Sequence, residues 1–163
     1  LSLKHLKDIH EYSKDKRFFK YFEYQRFEKI SQTKKYIISK LKEVKKIQAF
    51  WWSIKMKNSG KIIGTICIQK IDISRRTCEL GCGINPNYWN NGYFTEVLKY
   101  LSKIVVRKNR FLRCQCIVPE RNYPSLQVLI KCGFKKEGLM KNALRDNNRK
   151  KSFNAVMIAK TIK

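Results

Sequence analysis

Apolar positions along this chain recur with two periods, and the switches between them predict its elements. Over Ser31–Lys46, Ile30, Ile37, Leu41 and Val44 fall on one face of a helix. Phe50–Met56 and Lys61–Lys70 are predicted strands around the turn Asn58–Gly60, and Ile62, Gly64, Ile66 and Ile68 share one face of the second. Thr77–Ile84 is the next strand. Helical spacing returns over Phe94–Val106, where Phe94, Val97, Leu98, Leu101 and Val105 make an inward stripe. In Leu112–Val118, Leu112, Cys114, Cys116 and Val118 alternate against Arg113 and Gln115. A short helix runs from Tyr123 to about Cys132, with Pro124 in its first turn and Gly133 just past its end. Phe134–Leu144 and Phe153–Ile162 form a terminal hairpin around Asp146–Arg149.

The order α-β-β-β-α-β-α-β-β predicts an α/β (α+β) fold, with a mixed, mostly antiparallel central sheet flanked by helices. No linker, repeat or low-complexity stretch interrupts it, so residues 1–163 read as one domain.

Between the third strand and its helix lies Asn85–Glu96, a turn-rich loop with one glycine. The first-turn N–H groups of a helix have no intrahelical acceptor, and the helix dipole adds positive potential there. A strand, such a loop and a helix N-terminus together make an anion site, and a phosphate-bearing ligand is its natural guest. A second segment stands about thirty residues on: Asn122 and Ser125, followed by Gly133 and Phe134.

Together these segments resemble the GNAT superfamily of acyl-CoA-dependent N-acyltransferases, and within it the ribosomal-protein N-terminal acetyltransferases and their small-molecule relatives. The pyrophosphate loop of that branch matches at Tyr88, Trp89, Gly92, Tyr93, Thr95 and Glu96, and its later Asn-x-x-Ser and Gly-Phe match at Asn122, Ser125, Gly133 and Phe134. Ile63–Thr65, Glu79–Gly81 and Glu137–Gly138 are further echoes.

The resemblance implies acetyl-CoA as acyl donor. Trp89, Asn90, Asn91, Gly92, Tyr93, Phe94 and Thr95 would hold its pyrophosphate, the backbone of Cys82, Gly83 and Ile84 its thioester carbonyl, and Asn122 would bind its pantetheine arm or order the loop. Two positions depart from the pattern. Asn90 stands where the family has its first loop glycine, and asparagine tolerates the left-handed backbone such a turn needs. Phe94 replaces a small residue: turned into the core it spares the loop, and turned at the ligand it blocks it. The family's first strand has no clear counterpart, Leu1–Leu3 supplying only a stub.

Thioester aminolysis needs an acceptor for the amine's proton, a donor to the oxyanion and a proton for the leaving thiolate. Carboxylates are few. Glu79, mid-strand between Cys78 and Leu80, is the candidate base, with an ion pair to a lysine as the alternative reading and Glu137 in reserve. Glu96 is explained by its place in the first turn of a helix. Many family members donate a proton from a tyrosine seven residues after the asparagine. That position is Leu129 here, so Ser125 takes the role by resemblance, or else caps its helix. The aromatic run Phe18–Tyr24 is either sheet packing or, as the resemblance suggests, a wall of the acceptor site.

Charge and cysteine content sharpen the picture. Thirty-seven Lys and Arg against 12 Asp and Glu give a net charge of +25, a field that attracts polyanions and repels polycations. Contact with ribosomes or other nucleic acid is one reading of that excess, and compositional drift is the other, since the lysines are scattered. A basic nucleic-acid-binding module on a degenerate scaffold of the same fold is therefore the alternative function. The six cysteines form no Cys-x-x-Cys and lie far from His5 and His10, which argues for core thiols in a reducing cytoplasm rather than a metal site. A thiol nucleophile is the minor alternative. No run long and apolar enough for a membrane span is present, and no leader is seen, although a start at Leu1 rather than Met points to a missing N-terminal piece. Monomer and homodimer both remain open.

Overall fold

The computed structural model describes residues 1–107, 111–146, 148 and 150–161, with backbone alone for 105–107. Six strands form one sheet: β1 (Phe50–Lys55), β2 (Ile62–Asp72), β3 (Thr77–Ile84), β4 (Arg113–Pro119), β5 (Lys135–Arg145) and β6 (Ser152–Thr161). Their order is β1-β2-β3-β4-β6-β5, and every neighbouring pair is antiparallel except β3 with β4. Helices α1 (Leu6–Ser13) and α2 (Ile30–Lys45) lie on one face, over β2 and β1. Helices α3 (Tyr93–Arg107) and α4 (Tyr123–Lys131) lie on the other. The expected Val105 side chain, Asn147, Arg149 and Ile162 fall outside what is described.

The larger core is between the sheet and α3 and α4. Leu98 of α3 is fully buried, and Leu126 and Leu129 of α4 meet Ile66, Ile68, Cys78, Leu80, Cys114, Cys116, Val118 and Ile158 there. The predicted α3 stripe is observed at Phe94, Val97, Leu98 and Leu101, joined by the buried Ser102, whose hydroxyl accepts from Lys160 Nζ at 3.3 Å. A smaller core on the opposite face joins Ile9, Tyr12, Ile37 and Ile62. Tyr12 Oη lies buried beside Thr65 with no hydrogen-bond partner among the described residues.

Four expectations change. The chain begins with a 3-10 turn at Leu3–His5, capped by Ser2, that runs into α1, not with a strand stub. Its Leu6, Ile9 and Tyr12 have helical spacing and bury one face. On α2, Ile30 is exposed and Thr33 takes the inward place, its hydroxyl bonded to His10 Nδ1 at 2.8 Å. In β2 the register slips between Lys55↔Ile62 and Ile54↔Gly64. That bulge turns Ile62 toward α1 and sends Ile63 into the large core with Ile66 and Ile68. Leu112 is exposed, outside the buried alternation of β4.

Candidate acyl-donor and acceptor site

The parallel pair β3–β4 comes apart after three residue pairs, Thr77↔Arg113, Cys78↔Cys114 and Glu79↔Gln115. Beyond Glu79, β3 stays paired with β2 as far as Ile84↔Gly64, and β4 stays paired with β6 as far as Pro119↔Ala155. The sheet therefore splays into a wedge between Leu80–Ile84 and Cys116–Pro119.

Strand alternation decides which groups face that wedge. Asn85 N–H donates to Ile63 O on β2 at 2.7 Å, whereas Ile84 C=O turns away and accepts Trp89 Nε1 at 2.8 Å. Alternating back along the strand, Gly83 and Gly81 point their backbone groups at β2, and Cys82 and Ile84 point their N–H groups into the wedge. Gly83, expected to hold the thioester carbonyl with Cys82 and Ile84, is therefore turned to its β2 neighbour Thr65 instead. A Cβ there would lie 2.6 Å from Phe18 Cζ, so the ring of Phe18 rests on its backbone.

At the mouth of the wedge, β3 continues through the 3-10 turn Pro86–Tyr88 into the loop before α3. Asn85, buried and absent from the sequence-based candidates, anchors this turn. Its Oδ1 accepts Asn87 N–H at 3.0 Å, and its Nδ2 donates to Glu11 of α1 at 3.1 Å. Asn90 takes φ +62 and Gly92 φ +76, so both positions use the left-handed region. The first bond of α3 runs from Glu96 N–H to Gly92 O at 3.0 Å, which leaves the N–H groups of Tyr93, Phe94 and Thr95 directed out of the helix end. Phe94 and Tyr93 pack on the large core, while Trp89, Asn90, Asn91 and Gly92 are exposed. Phe94 thus follows the first of its two expected orientations, and the loop face stays open.

The second segment sits at the same end. Asn122 caps α4, its Oδ1 accepting Ser125 N–H at 3.4 Å, and Pro124 occupies the first turn. Ser125 enters the cap only through its backbone, so the expectation of a capping hydroxyl passes to Asn122, and Ser125 Oγ has no partner among the described residues. Leu129 is buried in the core. Asn122→Ala should cost about 1 kcal/mol in denaturant-midpoint stability. Ser125→Ala should leave that midpoint unchanged and slow turnover by a smaller factor than loss of the base.

Glu79 stands at the root of the wedge on the α1/α2 face, 8% exposed. Both its oxygens are held: Gln69 Nε2 donates to Oε1 at 3.2 Å and Lys70 Nζ to Oε2 at 3.1 Å. The ion pair weighed from the sequence is present, and Lys70 is its cation. Glu137, the reserve, lies elsewhere on edge strand β5. Arg113 grips it at 2.8 and 2.5 Å and holds its carboxyl below the usual range, which makes it a poor proton acceptor. The cysteines are free thiols, and burial pushes those of Cys67 (to about 12), Cys82 and Cys116 up, opposite to the shift a thiolate nucleophile needs.

Around the α1/α2 face, Phe18, Phe19, Phe22, Tyr24, Phe27, Tyr36 and Trp51 form a continuous chain of ring contacts. Phe19 is buried, as sheet packing requires, and Phe18 lies over the backbone of Gly83 beside the wedge. A separate cleft of about 470 Å³, lined by Lys16, Phe19, Gln25, Arg26, Glu28, Gln32 and Asn148, contains none of the candidate catalytic or cofactor-binding residues. Among the described residues no group of His, Cys, Asp and Glu could hold a metal ion, and no helix is long and apolar enough to cross a membrane.

A splayed parallel pair with an open helix N-terminus at its mouth defines the acyl-CoA N-acyltransferase fold. The acetyltransferase (GNAT) domain profile matches residues 1–135, and the chain belongs to that family. The uncharacterized N-acetyltransferase YoaA of Bacillus subtilis is 28% identical over 109 residues, 67% of this chain and 62% of that protein, so the match spans under two thirds of this curated relative. Among solved structures, the microcin C7 self-immunity acetyltransferase MccE, in complex with acetyl-CoA and AMP, superposes with a TM-score of 0.90 at 22% identity, covering 99% of this chain and 89% of that one. RimL, a ribosomal L7/L12 α-N-protein acetyltransferase in complex with coenzyme A, gives 0.88 at 19% identity, covering 99% and 91%.

Proposed function

We propose that this chain is an N-acetyltransferase that moves an acetyl group from acetyl-CoA to a primary amine by direct attack in a ternary complex. The carrying observation is the wedge itself, which has the candidate base Glu79 at its root and the N–H groups of Cys82 and Ile84 directed into it along one lip. The loop from Trp89 to Thr95 would hold the donor's pyrophosphate, and the N–H groups of Cys82 and Ile84 would polarise its thioester carbonyl. Glu79 would take the amine's proton, and Ser125 Oγ would protonate the departing thiolate.

The acceptor is a protein N-terminus, such as that of a ribosomal protein, or a small amine or amino sugar. Polyamines fit poorly. Among the described carboxylates only Glu96 accepts no bond; the rest are spent on ion pairs or on N–H groups of the fold. The grounds for a degenerate nucleic-acid module weaken as well, because Asn90 makes its turn and Phe94 packs away from the loop. A single domain acting in the cytoplasm completes this reading.

Acetyl-CoA at 100 times its dissociation constant should raise stability by about 2.7 kcal/mol, read as a thermal shift. A screen of amine acceptors by release of free CoA would follow. Absence of any shift at millimolar acetyl-CoA, together with tight binding of RNA, would overturn the reading in favour of the binding module.

A further inference from the structure

Lys70 reaches Glu79 by breaking the pattern of its own strand. Along β2, Ile66 and Ile68 face the large core, while Cys67 and Gln69 face the α1/α2 side, Gln69 directly opposite Glu79. Strict alternation would aim Lys70 at the core. Instead the pairing with β3 slips between Gln69 and Asp72, and Lys70 takes φ +47. This bulge turns the side chain to the Glu79 side and sets Nζ 3.1 Å from Glu79 Oε2. Stability does not account for the contact. The Lys70 side chain is 67% exposed, so its attraction to Glu79 is largely screened, and a left-handed backbone at a lysine works against the fold. What the bulge achieves is to put a primary amine against the carboxylate at the root of the wedge.

We infer that Lys70 is a site of intramolecular self-acetylation, its amine occupying the acceptor's place when no other amine is bound. The inference rests on the reading of Glu79 as proton acceptor. The Lys70 ammonium gives a proton to the Glu79 carboxylate, which passes it to solvent. The freed nitrogen lone pair attacks the thioester carbonyl of acetyl-CoA, the C–N bond forms, and the C–S bond breaks. The nitrogen gives up its second proton as CoA leaves as a thiolate, and the thiolate takes up a proton in its place. The product is N-acetyl-Lys70 and free CoA, with one proton released overall. The acetylated lysine carries no charge, so its ion pair with Glu79 is lost and only a neutral amide N–H is left on Nζ beside the Gln69 donor.

The test incubates the whole protein with acetyl-CoA alone, follows intact mass and maps modified peptides, with transfer to an added amine measured in parallel. A single acetyl group is expected on Lys70, at a first-order rate independent of protein concentration and rising with pH. Lys70→Arg should lose the label, and Glu79→Gln should acquire it about 10²-fold more slowly. Label spread over surface lysines equally in wild type and Glu79→Gln would mark plain chemical acylation and overturn the inference. A rate that scales with protein concentration would also overturn it. An unmodified Lys70 in a protein that acetylates the added amine would sink the self-acetylation and leave the proposed function standing. Absence of both reactions would sink the two together.

Discussion

Gly92→Val is expected to abolish acetyl-CoA binding while leaving the fold intact. Gly92 holds φ +76, a region that a β-branched residue enters only under strain. A Cβ at this position meets nothing within 4 Å, so no core contact opposes the substitution. The new side chain would stand in the open space in front of the Tyr93, Phe94 and Thr95 N–H groups, where phosphate oxygens would need to approach. A loss of at least 100-fold in affinity, about 2.7 kcal/mol, is expected by calorimetry. Gly92→Ala should fall between wild type and valine, since it keeps the backbone strain and adds less bulk. A valine variant that binds acetyl-CoA with native affinity would remove the pyrophosphate from this loop.

Much of this arrangement is legible in the sequence because local chemistry dictates it. Pro124 and Gly133 mark the ends of α4, Gly60 (φ +71) turns the β1–β2 hairpin, and the spacing of Val97, Leu98 and Leu101 fixes the buried side of α3. Asn90 and Gly92 mark a left-handed loop between a strand and a helix, and the structure places them there.

The features that escape the sequence depend on pairing between distant segments. Nothing local says that β3 and β4 part after Glu79, because the splay is the difference between two registers, one with β2 and one with β6. The bulge at Ile63 is invisible for the same reason: a run of isoleucines gives no sign of which residue is the extra one. Asn85 reads as one more loop asparagine until its contact with Glu11, 74 positions away, shows that it ties the loop to α1. Lys70 reads as one of many surface lysines until the β2–β3 register turns it. Helix α1 is different, since the spacing of Leu6, Ile9 and Tyr12 is a local signal, but eight residues are too short for that period to stand out.

Glu79→Gln should lower kcat and kcat/KM together by about 10²-fold, or about 2.7 kcal/mol of barrier, with acetyl-CoA binding unchanged. The substitution suits the question because glutamine keeps the size of the side chain and an oxygen that can accept from Gln69 Nε2 or Lys70 Nζ. What it removes is the capacity to hold a proton. The stability cost should be small, since the lost charge pairs with a lysine that is mostly in water. The defect should shrink as pH rises, because more of the acceptor amine is then already neutral and needs no base. A change confined to KM would instead mean that Glu79 only binds the acceptor's ammonium group. Wild-type turnover across the whole pH range would pass the proton directly to water, because Glu137, the reserve carboxylate, is gripped by Arg113.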